Sequence, residues 1–95
     1  MENILGTLNV YGVGSWDVIE ERDFNDEEKR MVSRAEVVES QYGNSVCFHM
    51  MSGGMTFIPL SNRSHLSVGE PVDMNTSRLL KLRDQNGVVI NRVDA

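Results

Sequence analysis

Cys47 and His49 are the two side chains of this 95-residue chain whose types and spacing suggest chemistry. They stand two positions apart in an alternating segment, so on a β-strand both would point to the same face. A thiol beside an imidazole can act as a nucleophile with its base, or as two ligands of a metal ion. On a strand, however, their backbones are roughly 7 Å apart, too far for the hydrogen bond that activates a thiolate unless the strand bulges. We therefore expect no catalytic residue and no enzyme.

A metal site would need more ligands than this pair supplies. His65 and a carboxylate such as Asp73 are candidates to complete it. Zinc sites, however, usually combine several Cys and His residues at tight spacing, and this chain has one such pair. The simpler interpretation is a half-buried thiol and a histidine at the rim, with no metal and no cofactor.

Turn-forming residues recur at short intervals along the chain and indicate the elements that must position these side chains. The segments between them are roughly six to ten residues long and rich in Val, Ile, Phe and Leu. This spacing predicts one all-β domain over residues 1–95, a small barrel of five or six mostly antiparallel strands. Its layout resembles an oligonucleotide-binding fold or an SH3-like barrel, and the long link before the last hairpin favours the former.

Residues 26–42 leave an alternative open. Apolar residues within 31–42 have helical spacing, with Asn25 or Asp26 as a cap, and a helix there would make the class α+β. The β-branched residues Val32, Val37 and Val38 favour a strand instead, and Gly43-Asn44 has the composition of a hairpin turn. We expect a strand from about residue 31 to residue 42.

Two hairpins are the clearest elements. In the last one, a three-residue loop with Gly87 in the left-handed region sets Leu82 opposite Ile90, whereas a two-residue loop would oppose Leu82 to a polar residue. The other hairpin covers residues 45–60, reverses at Ser52-Gly53-Gly54, and reaches a sheet edge at Pro59, which has no amide donor. Period-two alternation places four side chains inside the sheet: Phe48, Phe57, Leu82 and Ile90.

Methionines cluster at the turn of the 45–60 hairpin. Methionine fills gaps in small cores, and that is the simpler interpretation. If the turn is exposed instead, an adaptable apolar surface results. The residues that would then contact a partner are Met51, Gly53, Gly54 and Met55. The sequence thus predicts a non-catalytic module that binds another protein or a second copy of itself.

Charge is unevenly distributed and suggests a second function. Residues 1–28 hold eight of the 14 acids and one of the nine bases, and the rest of the chain is slightly basic. A basic sheet face with an exposed aromatic side chain could bind single-stranded nucleic acid. Its residues would be Arg63, Arg78, Lys81, Arg83, Arg92 and Tyr42. The net charge of −5 disfavours this alternative, and basic residues also serve as a solvated edge.

The sequence also indicates a compartment. The N-terminus has an acid where a signal peptide has Lys or Arg, and the apolar runs are far too short for a membrane span. A lone cysteine cannot form an internal disulfide. We expect a cytoplasmic protein that does not contact a membrane.

Overall fold

The computed structural model describes residues 3–10, 14–41 and 43–95, which form seven strands and one short helix. In chain order the elements are β1 (Gly6–Val10), β2 (Gly14–Asp23), α1 (Asp26–Met31), β3 (Val32–Ser40), β4 (Gly43–Met50), β5 (Met55–Pro59), β6 (Arg78–Arg83) and β7 (Val89–Asp94). Strands hold 57% of the residues and helix 7%, so the predicted all-β class is confirmed. The strand count is higher than the expected five or six.

The strands form two antiparallel sheets. One has the order β1-β2-β6-β7 and the other β3-β4-β5. The free edge of β3 is covered by residues 69–72, where the Val37 N–H donates to the Glu70 carbonyl at 2.9 Å. The two sheets meet where Leu60, just after β5, forms a parallel bridge with Val93 of β7. Irregular chain therefore covers the β3 edge of the three-stranded sheet, and β7 contacts one end of its β5 edge.

The buried side chains form two clusters, one within the four-stranded sheet and one between the two sheets, which includes Val93 of β7. The four-stranded sheet buries Leu80 and Leu82 completely, against Trp16 and its neighbours on β1 and β2. The second cluster joins the inner faces of β3 and β4 to Phe24, whose ring lies 5.8 Å from that of Phe48 between centroids. Cores this small leave little room for a deep cleft.

The helix is confined to six residues. Asn25 caps it, because its side chain accepts from the Glu28 N–H while the Glu28 carboxylate accepts from the Asn25 N–H. The chain becomes extended at Val32. The helical alternative for residues 26–42 is therefore wrong beyond Met31, and the predicted strand is confirmed as β3. The β-branched residues prevail over the helical spacing of the apolar ones.

Both predicted hairpins are confirmed. Leu82 pairs with Ile90, and Gly87 has a φ of 83° in a loop closed by bonds from Asn86 and Val88 to the Asp84 carboxylate. The prediction that Phe57 points inward is wrong. Phe57 pairs with Cys47, so it lies on the face of β5 opposite to Ile58, and half of its surface is exposed.

Candidate functional site

The β4–β5 hairpin carries a group of exposed apolar side chains. Residues 43–62 contain no Asp, Glu, Lys or Arg. The side chains of Met51, Met55 and Phe57 are 68%, 59% and 54% exposed. Large apolar side chains grouped this way on a small protein mark an interaction surface more often than an accident of packing. We call these three residues the hairpin patch.

The turn of this hairpin explains why the patch faces solvent. Gly53 has a φ of 99° and donates to the Met50 carbonyl, while the Met50 N–H donates to Gly54. Met50 is half-buried and packs against the core, so the next residue, Met51, projects outward. The four residues predicted for partner contact, Met51, Gly53, Gly54 and Met55, are all exposed. The simpler expectation, that the methionines around this turn fill the core, holds only for Met50.

Two further residues of this surface do not follow from the sequence pattern. The period of β5 predicts an interior position for Phe57, and the expected strand over residues 31–42 includes Met31. Met31 is exposed, and its carbonyl accepts from the Met51 N–H at 2.8 Å. It also borders a shallow apolar groove of about 160 Å³ with Met50 and Met74. The lack of charged residues over residues 43–62 is the sequence signal that indicates the exposed position of Phe57.

Hydrogen-bond alternation shows which backbone groups of β5 are free. The Met50 N–H donates to the Gly54 carbonyl, and the Leu60 N–H donates to the Asn44 carbonyl. In an antiparallel pair, every second residue of a strand bonds to the neighbouring strand in this way, so the even-numbered residues of β5 bond to β4. Thr56 and Ile58 therefore bond to β4, whereas the N–H and C=O groups of Met55 and Phe57 point away from it. Within the described residues, β5 has β4 as its strand neighbour and touches β7 through the bridge at Leu60, so no strand pairs with Met55 or Phe57 on that side. The outer edge of β5 is an unpaired strand edge beside the hairpin patch.

Glu36 joins Cys47 and His49 on the outer face of the three-stranded sheet. The β3–β4 register sets Glu36 directly opposite Cys47. Nε2 of His49 lies 2.8 Å from Oε1 of Glu36 and 3.6 Å from Sγ of Cys47. The expectation that Cys47 and His49 lie too far apart to interact is therefore wrong, because the side chains lean together. Arg34 binds the other oxygen of Glu36 at 2.9 Å.

This arrangement does not activate the thiol. Burial and the neighbouring Glu36 carboxylate raise the pKa of Cys47, so the thiol stays protonated at neutral pH. The hydrogen bond from His49, and then the Arg34 charge, lower the pKa of Glu36. One nitrogen of His49 faces both partners, whereas a catalytic base needs one nitrogen for the nucleophile and the other for its orienting acid. The geometry gives no support to a nucleophilic enzyme.

The other candidate ligands do not join this cluster. In residues 3–10, 14–41 and 43–95, one group of three or more potential metal ligands lies close together, and it consists of Glu36, Cys47 and His49. His65 is exposed in the link between β5 and β6. Asp73 accepts from the Asn75 N–H and shapes a turn. The third ligand-type residue thus comes from β3, and neither sequence candidate supplies it.

The basic residues proposed for nucleic acid are largely paired with acids. Arg63 contacts Asp94 at 2.7 Å, and Lys81 contacts Glu20 at 3.3 Å. Arg78 contacts Asp23 at 3.3 Å and, like Arg63, lies 3.6 Å from Glu21.

The remaining candidates are differently placed. Arg92 is half-buried, which lowers its pKa, and donates to the Asn91 carbonyl. Arg83 lies opposite Asp17 in the sheet register. Tyr42 lies outside the described residues.

No protein-family model matches this chain, and neither a curated protein nor a solved structure shows significant similarity to it. Among the residues that the structure describes, no helix has the length and apolar character needed to cross a bilayer. The function of the chain must therefore be inferred from its own surface.

Proposed function

We propose that this chain is a non-catalytic, cytoplasmic self-association module in which two copies join through the outer edge of β5 and the hairpin patch. The observation that carries the proposal is the uncharged, exposed edge of β5. Proteins usually protect such an edge with lysines, prolines or bulges, because an open edge pairs with other chains. Here Pro59 blocks one end, and residues 55–57 have no such protection.

A second copy fits this edge because the edge is self-complementary. When two identical strands pair antiparallel about a two-fold axis, Met55 of one copy faces Phe57 of the other. In that register the outward N–H and C=O groups of both residues gain partners. The facing Met55 and Phe57 side chains then form cross-strand pairs on one face of a continuous sheet.

The strength of the contact follows from the size of the patch. Full burial of a side chain such as Met or Phe contributes roughly 1.5–3 kcal/mol, so three from each copy contribute about 9–18 kcal/mol. Association costs about 4–15 kcal/mol in lost translational and rotational freedom. The difference is at most about 14 kcal/mol, and the roughly 8 kcal/mol that a micromolar dissociation constant requires lies within it. We therefore expect a reversible dimer with a dissociation constant in the micromolar range or weaker.

Charge also favours this face over the others. The chain has a net charge of −5, and two like-charged copies repel one another. Half of the 14 acids lie on β2 and α1, whereas the β4–β5 hairpin contains no Asp, Glu, Lys or Arg. Contact through β5 brings the fewest like charges together.

The sheets themselves support a barrel as the finer description of the fold. The Ser61 N–H donates to the Val93 carbonyl at 2.8 Å, which continues the contact of Leu60 with β7. In a barrel similar to an oligonucleotide-binding fold, this contact would close one seam between the sheets. We include this arrangement in the proposal: the seam uses the Leu60 end of β5, and residues 55–57 lie beyond it.

Single-stranded nucleic acid is the alternative ligand. The five basic residues of the last third favour it. The pairing of Arg63, Arg78 and Lys81 with carboxylates weakens it, because phosphate binding must then compete with intramolecular ion pairs. Self-association is the better supported function.

The mass of the protein in solution, measured by sedimentation over a concentration series, tests the proposal. Wild-type protein should shift from monomer to dimer as its concentration rises through the micromolar range. Phe57→Lys should weaken the dimer about tenfold or more, because it places two charges against the facing strand. Val88→Lys is the matched control, since Val88 is also exposed but lies in the β6–β7 loop.

Two results would decide against self-association. One is a wild-type protein that remains monomeric at every concentration, and the other is an equal effect of Phe57→Lys and Val88→Lys. Far-ultraviolet circular dichroism confirms that both variants fold. Adding a single-stranded oligonucleotide at low salt tests the alternative, which requires binding that weakens steeply as salt rises.

A further inference from the structure

The outer face of the β3–β4 pair brings together a thiol, an imidazole and a carboxylate that the proposed self-association does not use. Sγ of Cys47, Nε2 of His49 and a carboxylate oxygen of Glu36 all lie within 4.8 Å of one another. We propose that these three residues bind a divalent transition-metal ion of the zinc type and leave one coordination position open to solvent. We call them the β3–β4 site.

The distances suit such an ion. In a tetrahedral zinc site, Zn–S is about 2.3 Å and Zn–N about 2.0 Å, so a sulfur and a nitrogen ligand stand about 3.5 Å apart. Sγ of Cys47 and Nε2 of His49 are 3.6 Å apart. The 2.8 Å between His49 and Glu36 is a hydrogen-bond length. A metal would push these two groups apart by about half an ångström, which is within the reach of a carboxylate rotation.

The surrounding residues hold the ligands in position. Glu36 and Cys47 sit on paired strands in fixed register, and Cys47 and His49 share one face of β4. Arg34 binds the second oxygen of Glu36 at 2.9 Å, and the Ser33 hydroxyl donates to the His49 carbonyl at 2.9 Å. Outer partners of this kind orient metal ligands and raise affinity.

The mixture of ligands determines which ions would bind. Thiolate and imidazole favour zinc, cobalt and similar ions over magnesium and calcium, which require oxygen ligands. On binding, the Cys47 thiol would lose its proton to solvent. The His49 imidazole would carry its proton on Nδ1, so that Nε2 has a lone pair for the metal. Solvent would reach the open position, since His49 and Glu36 are part-exposed at 22% and 30%.

The test is direct titration of the purified protein with zinc in competition with a chromophoric chelator, followed by the same titration with cobalt. Wild-type protein should bind one ion per chain. Bound cobalt should give the near-ultraviolet charge-transfer band of a thiolate ligand. Glu36→Gln and His49→Ala should each weaken zinc binding about tenfold or more, because each removes a ligand. Cys47→Ser should also remove the charge-transfer band.

His65→Ala is the matched control, since it removes the other histidine, which lies outside the site. It should leave zinc affinity and the cobalt spectrum unchanged. Because Cys47 is buried, Cys47→Ser is checked for folding, and His49→Ala at a half-buried position provides an independent reading. The proposal is overturned if wild-type protein binds no stoichiometric zinc. It is also overturned if His65→Ala, and not His49→Ala, abolishes binding.

Discussion

At the scale of single residues, Glu28 joins three parts of the chain. Its carboxylate binds Arg22 of β2 at 2.8 Å and accepts from the Asn25 N–H, which closes the cap of α1. The side-chain hydrogen bond from Arg22 is the main reason that the pKa of Glu28 falls to about 2. One ionised side chain thus ties the only described helix to the four-stranded sheet.

The stability of the protein should therefore depend on the ionisation of Glu28. Because its pKa is lower in the folded state than the ordinary value of 4.5, its contribution is complete above about pH 4.5 and is lost as the pH falls toward 2. Glu28→Gln should lower the free energy of unfolding at pH 7 by about 0.5–1 kcal/mol, because glutamine keeps the capping acceptor but loses the charge that pairs with Arg22. The difference from wild type should shrink below pH 4.5. Urea unfolding at several pH values measures it.

Glu27→Gln serves as the control for this prediction. Glu27 is exposed in the first turn of the same helix, so its replacement alters the charge near the helix N-terminus without disturbing the Arg22–Glu28 ion pair. If the free energy of unfolding of Glu28→Gln differs from that of wild type by the same amount from pH 7 to pH 3, Glu28 does not act through its charge. Equal effects of Glu28→Gln and Glu27→Gln would also contradict the prediction.

At the scale of elements, turn chemistry sets the register of the last hairpin. Gly87 occupies the left-handed region, and the Asp84 carboxylate accepts from the Asn86 and Val88 N–H groups. A side chain at a left-handed position costs about 1–2 kcal/mol. Open space surrounds the position where a Cβ would stand, so the strain arises from the backbone and not from a clash.

Gly87→Ala should therefore lower the free energy of unfolding by about 1 kcal/mol, and Gly87→Asn by less, because asparagine tolerates this conformation better. Thermal or urea unfolding of the two variants measures the effect. Gly54→Ala is the control, since Gly54 has open space around it and no positive φ. Equal losses for Gly87→Ala and Gly87→Asn would contradict the explanation from backbone conformation.

The elements were predictable from the sequence where local rules determine them. Asn86-Gly87 and Ser52-Gly53-Gly54 identify the hairpin turns, and period-two alternation identifies the strands beside them. The face that each strand buries was not predictable in the same way. Phe57 is a residue type that is common in cores, but its pairing with Cys47 places it on the outer face of the sheet. Which of two apolar faces is covered depends on contacts that are distant in sequence.

At the scale of the whole molecule, one of the two buried clusters joins the sheets through Val93, and the outer face of β3-β4-β5 is left to function. The same face carries the β3–β4 site and adjoins the hairpin patch. The sequence could not reveal Glu36 as a neighbour of Cys47, because they meet only through the β3–β4 register. It could reveal the uncharged stretch of residues 43–62, which is where the proposed self-association contact lies.

The central claim is that the β5 edge is closed by a second copy, and amide hydrogen exchange tests it most directly. The Thr56 and Ile58 amides bond to β4, so they should be protected at every protein concentration and serve as internal controls. The Met55 and Phe57 amides should exchange fast in dilute protein and become protected as the concentration rises through the dimerisation range. Fast exchange of Met55 and Phe57 at every concentration would contradict the account.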